Sequence, residues 1–274
     1  MRFTPRSARL AGAAVAAILA LGLSACSSTT SSDSGSASLG TIKVGALATP
    51  AGDILKFVQD NLAKDAGLDI QVTDFTDYNT PNLALSDGSI DANLFQNSTF
   101  LKTYNEASND TLVSAGEIYL PSAAFYSTKV KSLDDLKDGA KIAIPNDPTN
   151  EGRALKILAA QDLITTTENP TTLKDITANT HNFDFVEIEN ATLAQSLPDV
   201  DAAFVTISFA LPAGLTAKDS ILIEDKDAPY YNVLATTAKL ESDPRIVELK
   251  KLLLDPKTKA FIEKTWGGLV IPVS

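Results

Sequence analysis

From residue 41 onward, short apolar runs alternate with amphipathic helical ones, and this alternation restricts what the chain can fold into more than any other feature. Residues 41–47 (TIKVGAL) read as a strand, and Ile54, Leu55, Val58 and Leu62 form the apolar stripe of a helix that ends near Gly67. Residues 69–75 give a second strand. A short helix starts near Asn79, with Pro81 in its first turn, and stops at Asp87-Gly88. Residues 90–95 are strand-like and 99–107 helical. This order specifies an α/β fold with a mostly parallel sheet.

A second unit follows Tyr126. Residues 131–139 suggest a short helix, 141–145 a strand and 151–160 a helix with Ala154, Leu155, Leu158 and Ala159 on its apolar side. Strands at 183–188, 201–206, 221–225 and 230–237, and helices at 191–197, 244–254 and 256–266, complete the alternation. The polar stretch 165–179 reads as a surface excursion with modest helix content, and the apolar tail after Trp266 should lie against the fold. Two small sheets account for these strands more naturally than one. Two α/β lobes of this kind enclose a cleft, where small ligands bind.

The N-terminus is of another kind. Residues 1–9 carry Arg2, Arg6 and Arg9 and no acid, and residues 10–23 (LAGAAVAAILALGL) are uncharged and mostly apolar. That is the layout of a secretory signal, shorter than the about 20 residues a membrane span needs. It ends in LSAC, residues 23–26, which resembles the lipobox of bacterial lipoproteins, in which the cysteine becomes the lipid-modified first residue. The polar run after Cys26 has the composition of a flexible tether. The expected location is extracytoplasmic, at the cell membrane through lipidated Cys26.

Composition removes most chemistry. The formal net charge is −11, and it becomes more negative once the three arginines of the signal are lost, which argues against nucleic acid as a partner. One cysteine and one histidine leave no disulfide framework, thiolate metal site or His-rich zinc site, so neither a metal nor a cofactor is expected. His181 lies in a polar loop and reads as solvent-facing; no serine sits in G-x-S-x-G, and there is no phosphate loop or G-x-G-x-x-G. Asp134, Asp135, Asp225 and Asp227 fit a solvated acidic face. The chain is not expected to be an enzyme.

Arginine is the positive clue. Beyond the signal only Arg153 and Arg245 remain, against eighteen lysines. Arginine presents a rigid fork of donors that suits a carboxylate. Arg153 falls in IPNDPTNEGRAL, in the first turns of a helix beyond the C-terminal end of a strand, the usual ligand side of an open α/β sheet. It serves either a ligand carboxylate or a structural ion pair with Glu151 or a neighbour. Arg245, after Asp243-Pro244, reads as a surface residue at a helix start. Aromatic residues near strand ends, among them Tyr78, Phe95, Phe100, Tyr119 and Tyr230, offer rigid walls for an apolar pocket.

Five long stretches carry a family resemblance: residues 42–46, 75–97 (FTDYNTPNLALSDGSIDANLFQN), 131–155 (KSLDDLKDGAKIAIPNDPTNEGRAL), 186–197 and 224–234 (EDKDAPYYNVL). With them the mature chain resembles the NLPA lipoproteins, the substrate-binding components of methionine-type ABC importers. The resemblance implies a two-lobed, periplasmic-binding-protein-like α/β fold whose lobes close on one amino acid. It implies that Arg153 grips the ligand carboxylate, that Tyr78 and Phe95 shape the apolar pocket, and that Asn232 meets the polar end. Two positions depart from the family pattern: Asn97 stands where a histidine is common, and Thr206 where an asparagine is common, with Phe209 three residues on. The aromatic-proline segment around Tyr119 is altered too; Asn97, Thr206 and Tyr119 are counted with the expected ligand-binding set.

The implied organisation is a signal over 1–25, lipidated cysteine and tether over 26–40, a first lobe over 41–127 and 229–274, and a second lobe over 128–228. The implied function is delivery of an amino acid, methionine first, to a permease with its cytoplasmic ATPase. The alternatives are another apolar amino acid or a short peptide as ligand, or a lipid-anchored surface or structural protein of the same fold with no transport role.

Overall fold

Three Asp-Pro pairs start three of the helices. The structure, a computed structural model, describes residues 38–274, so the predicted signal and Cys26 lie outside the described residues. Asp147 accepts from the Asn150 N–H at 2.9 Å to open α4 (Pro148–Ala160). Asp243 caps α7 (Pro244–Leu253) through Arg245 N, and Asp255 caps α8 (Pro256–Trp266) through Lys257 N, each at 2.8 Å. In each case the aspartate satisfies an otherwise orphaned donor, and proline follows where its missing N–H costs nothing.

The first sheet contains β1 (Gly40–Leu47), β2 (Leu68–Phe75), β3 (Ala92–Asn97), β4 (Leu112–Pro121), β12 (Asn232–Thr237) and β13 (Val270–Pro272), in the order β13-β4-β12-β3-β1-β2. The second contains β5 (Ala123–Tyr126), β6 (Lys141–Pro145), β9 (Asp184–Ile188), β10 (Ala202–Thr206) and β11 (Ser220–Ile223), in the order β11-β5-β10-β6-β9. Strands β7 (Thr165–Thr166) and β8 (Ile176–Ala178) pair separately.

Only part of each sheet is parallel, so the expectation of mostly parallel sheets is corrected. β1 runs parallel to β2 and β3, but β12 is antiparallel to β3 and β4. In the second sheet β6 is parallel to β9 and β10, whereas β5 is antiparallel to β10 and β11. The antiparallel members lie beside the two crossings between sheets. β4 passes into β5 through the single residue Ser122, and residues 224–231 return from β11 to β12.

Each lobe has its own core. In the first, Ile42 and Val44 of β1 pack with Ile54, Leu55 and Val58 of α1 (Asp53–Val58) and with Leu249 and Ile262 of α7 and α8. In the second, Phe125, Ile142, Ile144 and Phe204 meet Leu155 and Leu158 of α4, while Leu193, Leu197 and Val205 fill the opposite face. Burial of one such side chain contributes about 1.5–3 kcal/mol. The other α-helices among the described residues are α2 (Thr80–Ser86), α3 (Ser98–Ser108), α5 (Asn190–Leu193) and α6 (Ile207–Ala210).

Several local expectations change. The helix expected over 131–139 is one 3-10 turn, Leu133–Asp135, because few residues separate the Ser132 cap from Gly139, which sits at φ 77°. The helix expected over 191–197 is α5 followed by a 3-10 segment, Ala194–Asp199, that contains Pro198. Residues 165–179 hold the short β7–β8 ladder, and the modest helix content expected there is one 3-10 turn, Leu173–Asp175. Arg245 is not a simple surface residue: it donates to both Asp243 oxygens and to the Thr41 carbonyl at 2.7 Å, tying α7 to β1.

The loop carrying β7 and β8 lies hard against α4. A Cβ at Gly152 would fall 2.1 Å from the Pro170 carbonyl oxygen. Gly152→Ala should therefore destabilise the fold by about 1–3 kcal/mol through overpacking, measured by chemical denaturation; an unchanged midpoint would show that the loop yields freely.

Candidate functional site

Both crossings between the lobes meet at Arg153. From the second turn of α4 its Nη2 donates to the Pro121 carbonyl at 2.9 Å, at the end of β4. Its Nε donates to Glu224 Oε1 at 2.7 Å, and Nη2 also donates to Glu224 Oε2, just past β11. The Tyr230 ring lies 4.4 Å from the guanidinium carbon. Arg153 is 2% exposed and Glu224 8%. Of the two roles open to Arg153, an ion pair is present, and its partner is Glu224 rather than Glu151. Nη1 has no protein acceptor among the described residues.

Arg153 also lines a cavity of about 20 Å³. Tyr78, Phe95, Asn97 and Phe100 line it from the first lobe, Pro121 and Asn232 from β4 and β12, and Asn150, Arg153 and Thr206 from the second lobe. A water needs roughly 10–15 Å³ of such space, so an amino acid enters only if the lobes part or side chains move. A second cavity of about 270 Å³ adjoins it, sharing Tyr78 and Phe100. A larger cavity, about 630 Å³, shares Arg153 but runs outward along α4 past Lys156 and Lys226.

The lobes touch through the expected site residues. Tyr78 Oη lies 3.0 Å from Thr206 Oγ1, a buried hydrogen bond across the cleft. The Tyr78 ring meets Phe209 of α6 at 4.8 Å, Phe95 at 5.7 Å and Phe100 at 5.9 Å. Burial holds the Tyr78 hydroxyl above its ordinary pKa, so it stays a neutral donor. Asn97 accepts from the Phe100 N–H at 2.9 Å and caps α3. Asn232 Nδ2 donates to Tyr119 Oη at 3.2 Å. Tyr119 is thus fully buried behind Asn232, outside the cavity lining, and burial raises its pKa too.

Arg153, Asn232, Tyr78, Phe95, Asn97 and Thr206 therefore surround one cavity, with Tyr119 a layer behind. Sequence reasoning did not single out Gln96, Asn150 or Glu224. Gln96 belongs to a buried amide cluster, accepting from Asn82 and donating to Asn82 and Asn93. All three lie inside the stretches that carry the family resemblance, but only the fold brings Glu224 to Arg153. His181 is partly exposed, 3.0 Å from Asp138, and stacked on Phe183, far from a nucleophile-and-base arrangement.

At the start of α4 lies a second electrostatic feature. Glu151 is 2% exposed, and among the described residues neither its Oε1 nor Asn190 Oδ1 finds a hydrogen-bond partner. Burial, reinforced by the nearby Glu187 carboxylate, pushes the Glu151 carboxyl up to about 7.

These features define a two-lobed solute-binding protein, with an aromatic and amide-lined cleft and one buried guanidinium at the hinge. The model of the family described as NlpA lipoprotein matches residues 42–274. The D-methionine-binding lipoprotein MetQ of Salmonella typhi is 42% identical over 202 residues, covering 71% of this chain and 74% of that one. The probable D-methionine-binding lipoprotein MetQ of Vibrio cholerae serotype O1 is 36% identical over 234 residues, covering 84% and 87%. The structure of a nutrient binding protein from Burkholderia cenocepacia, bound to methionine, superposes with a TM-score of 0.82 at 38% identity, covering 85% of this chain and 100% of that one. The chain belongs to the NlpA lipoprotein family: it is an extracytoplasmic, membrane-anchored substrate-binding component of an ABC importer and not an enzyme.

Replacing Thr206 by valine leaves the buried Tyr78 hydroxyl without its partner, at a cost of about 1–3 kcal/mol. The ligand-free variant should melt lower and show a larger radius of gyration by X-ray scattering; two unchanged values would remove the bond from lobe closure. For Glu151, the folded pKa of about 7 lies above the ordinary 4.5, so the folded state holds a proton that the unfolded state has lost between those values. Stability should fall as pH rises from about 4.5 to 7 and then level off. Glu151→Gln should flatten that slope and be at least as stable as wild type at pH 8, as read by thermal melts across pH.

Proposed function

We propose that the cleft binds the zwitterion of a single apolar amino acid, methionine, with its carboxylate at Arg153 and its side chain among Tyr78, Phe95, Phe100 and Phe209. One observation carries this reading: Arg153 is the only charged side chain among those lining the closed cavity, and the rest are amides, a hydroxyl, a proline and aromatic rings. A guanidinium nitrogen free of protein acceptors suits one ligand carboxylate. Asn232 and Asn150 are placed for the remaining polar atoms. The names and contents of the relatives above point to methionine.

Because about 20 Å³ cannot hold an amino acid, binding requires an open arrangement, and the ligand then stabilises closure around itself. Closure excludes water and strengthens the charge-assisted bonds. The permease reads the closed lobes, so transport depends on the differential affinity of ligand for the two arrangements. Cys26 is proposed as the lipidated residue, followed by a tether to residue 40. The lobes are proposed as 41–121 with 232–274, and 123–223, joined by Ser122 and residues 224–231; the expected boundary at 127 moves because β5 pairs within the second sheet.

Native purification, denaturation and mass spectrometry of the released solute should yield methionine, and calorimetry on the refolded protein should give binding by the L or D form. Failure to bind any amino acid would overturn the reading. Arg153→Lys keeps the charge against Glu224 but loses the fork, and should weaken methionine by at least about tenfold, roughly 1.4 kcal/mol. Undiminished affinity in the folded variant would move the carboxylate elsewhere.

A further inference from the structure

Glu224 occupies most of the guanidinium that the cleft offers. Both its oxygens accept from Arg153, through Nε at 2.7 Å and through Nη2. The backbone fixes this carboxylate in place, since Glu224 N donates to the Ala123 carbonyl at 2.9 Å. The guanidinium is also held by the Pro121 carbonyl and covered by the Tyr230 ring. The cation is therefore already neutralised, in surroundings where both partners are more than nine-tenths buried. Every other residue lining the closed cavity is uncharged. One more acid acts on the cleft: Asp147, the cap of α4, lines the adjoining cavity, and its charge is felt at Tyr78 together with that of Arg153. Its oxygens are occupied by Asn150 and Asn190.

We propose that Glu224 is a positioning and charge-setting residue that restricts the cleft to zwitterions. The inference rests on the amino-acid reading above and adds the reason for its selectivity. A bare carboxylate entering beside a neutral Arg153–Glu224 pair, with Asp147 near, brings an uncompensated negative charge into a dry site. That is strongly unfavourable, because Coulomb energies grow as the dielectric falls. A ligand that carries its own ammonium brings the compensating charge with it. Were Arg153 unpaired, the same cleft would favour simple carboxylic acids, as a lone buried guanidinium does. Glu224 thus acts on the ligand through Arg153, by holding its fork so that only Nη1 is left free and by cancelling its charge.

The test compares three probes on the full chain by calorimetry: methionine, 4-(methylthio)butanoate, which lacks the ammonium, and methioninamide, which lacks the carboxylate. Wild type should prefer methionine over both. In Glu224→Gln, with the site one unit more positive, the preference for methionine over 4-(methylthio)butanoate should fall by at least about tenfold. Methioninamide should lose ground against both. A parallel weakening of all three probes, or an unchanged order, would overturn the proposal and leave Glu224 a structural residue. Glu224→Asp retains the charge and should retain the wild-type order even if every affinity drops. An inverted order there would also overturn the proposal, and this variant decides the matter if the glutamine one does not fold. If wild type binds no amino acid, the functional reading fails; if it binds methionine and only the order is unmoved, this inference alone fails.

Discussion

The buried pair of Arg153 and Glu224 is the interaction on which the arrangement of the lobes depends. It joins three segments that are remote in sequence: α4 of the second lobe, the end of β4 at Pro121, and the return crossing after β11. Both crossings between lobes are thereby fastened to one guanidinium. Burying two charges costs several kcal/mol per ion, and the mutual attraction offsets this only where the geometry is good and the other donors are satisfied. Here two nitrogens make three bonds and an aromatic ring covers one face. A pair of apolar residues would pack the same space at lower cost, so stability alone does not account for the pair. Its location, with Arg153 lining the cleft and one of its nitrogens without a protein acceptor among the described residues, does.

The rest of the site grows from that position. Tyr78 brings a hydroxyl and a ring from the first lobe, and Thr206 and Phe209 receive them from the second. The closed cleft is thus filled by the protein itself: an aromatic cluster where an apolar ligand side chain would lie, and a cross-lobe hydrogen bond at the polar end. Each of these contacts must be exchanged for ligand contacts during binding. Affinity then reflects a difference between two well-satisfied arrangements rather than the sum of ligand contacts. Thr206 and Asn97, the two departures from the family pattern, both hold protein partners in this closed form. They change what the empty cleft can satisfy as much as what a ligand can.

How much of this was legible in the sequence follows from the range of the forces involved. Helix starts were readable because they depend on neighbours: Asp243-Pro244 signals a cap with no knowledge of the fold. The strands of β1, β6 and β10 were readable because continuous apolar runs flanked by turns have few alternatives. β4 was not, since its first half, LVSAGE, lacks a clean alternation and its burial is decided by β12 and β13 on either side. Strand direction was also hidden, because β12 returns from the other lobe and its antiparallel entry between β3 and β4 is a property of the whole path. The scarcity of arginine singled out Arg153, yet its partner was sought nearby at Glu151. Glu224 is 71 residues away, and no local pattern distinguishes it from the acids around it.

Glu151 and Glu224 show why the choice between them is a matter of placement. Both are buried glutamates within reach of the same helix, and on the acidic surface of this chain either would be unremarked. Glu224 meets a fork of donors whose charge balances its own. Glu151 faces inward on the other side of α4, close to Glu187, with one oxygen unpaired among the described residues and a carboxyl that burial pushes up to about 7. Arg153 of α4 therefore meets the Glu224 carboxylate from the return crossing, while Glu151 gives the same helix a carboxyl that burial makes easier to protonate. Exchanging the two environments would leave Arg153 without compensation and place a negative charge where burial disfavours it. The two acids are alike in sequence and opposite in electrostatic role, and it is the hinge crossing at residue 224 that makes them so.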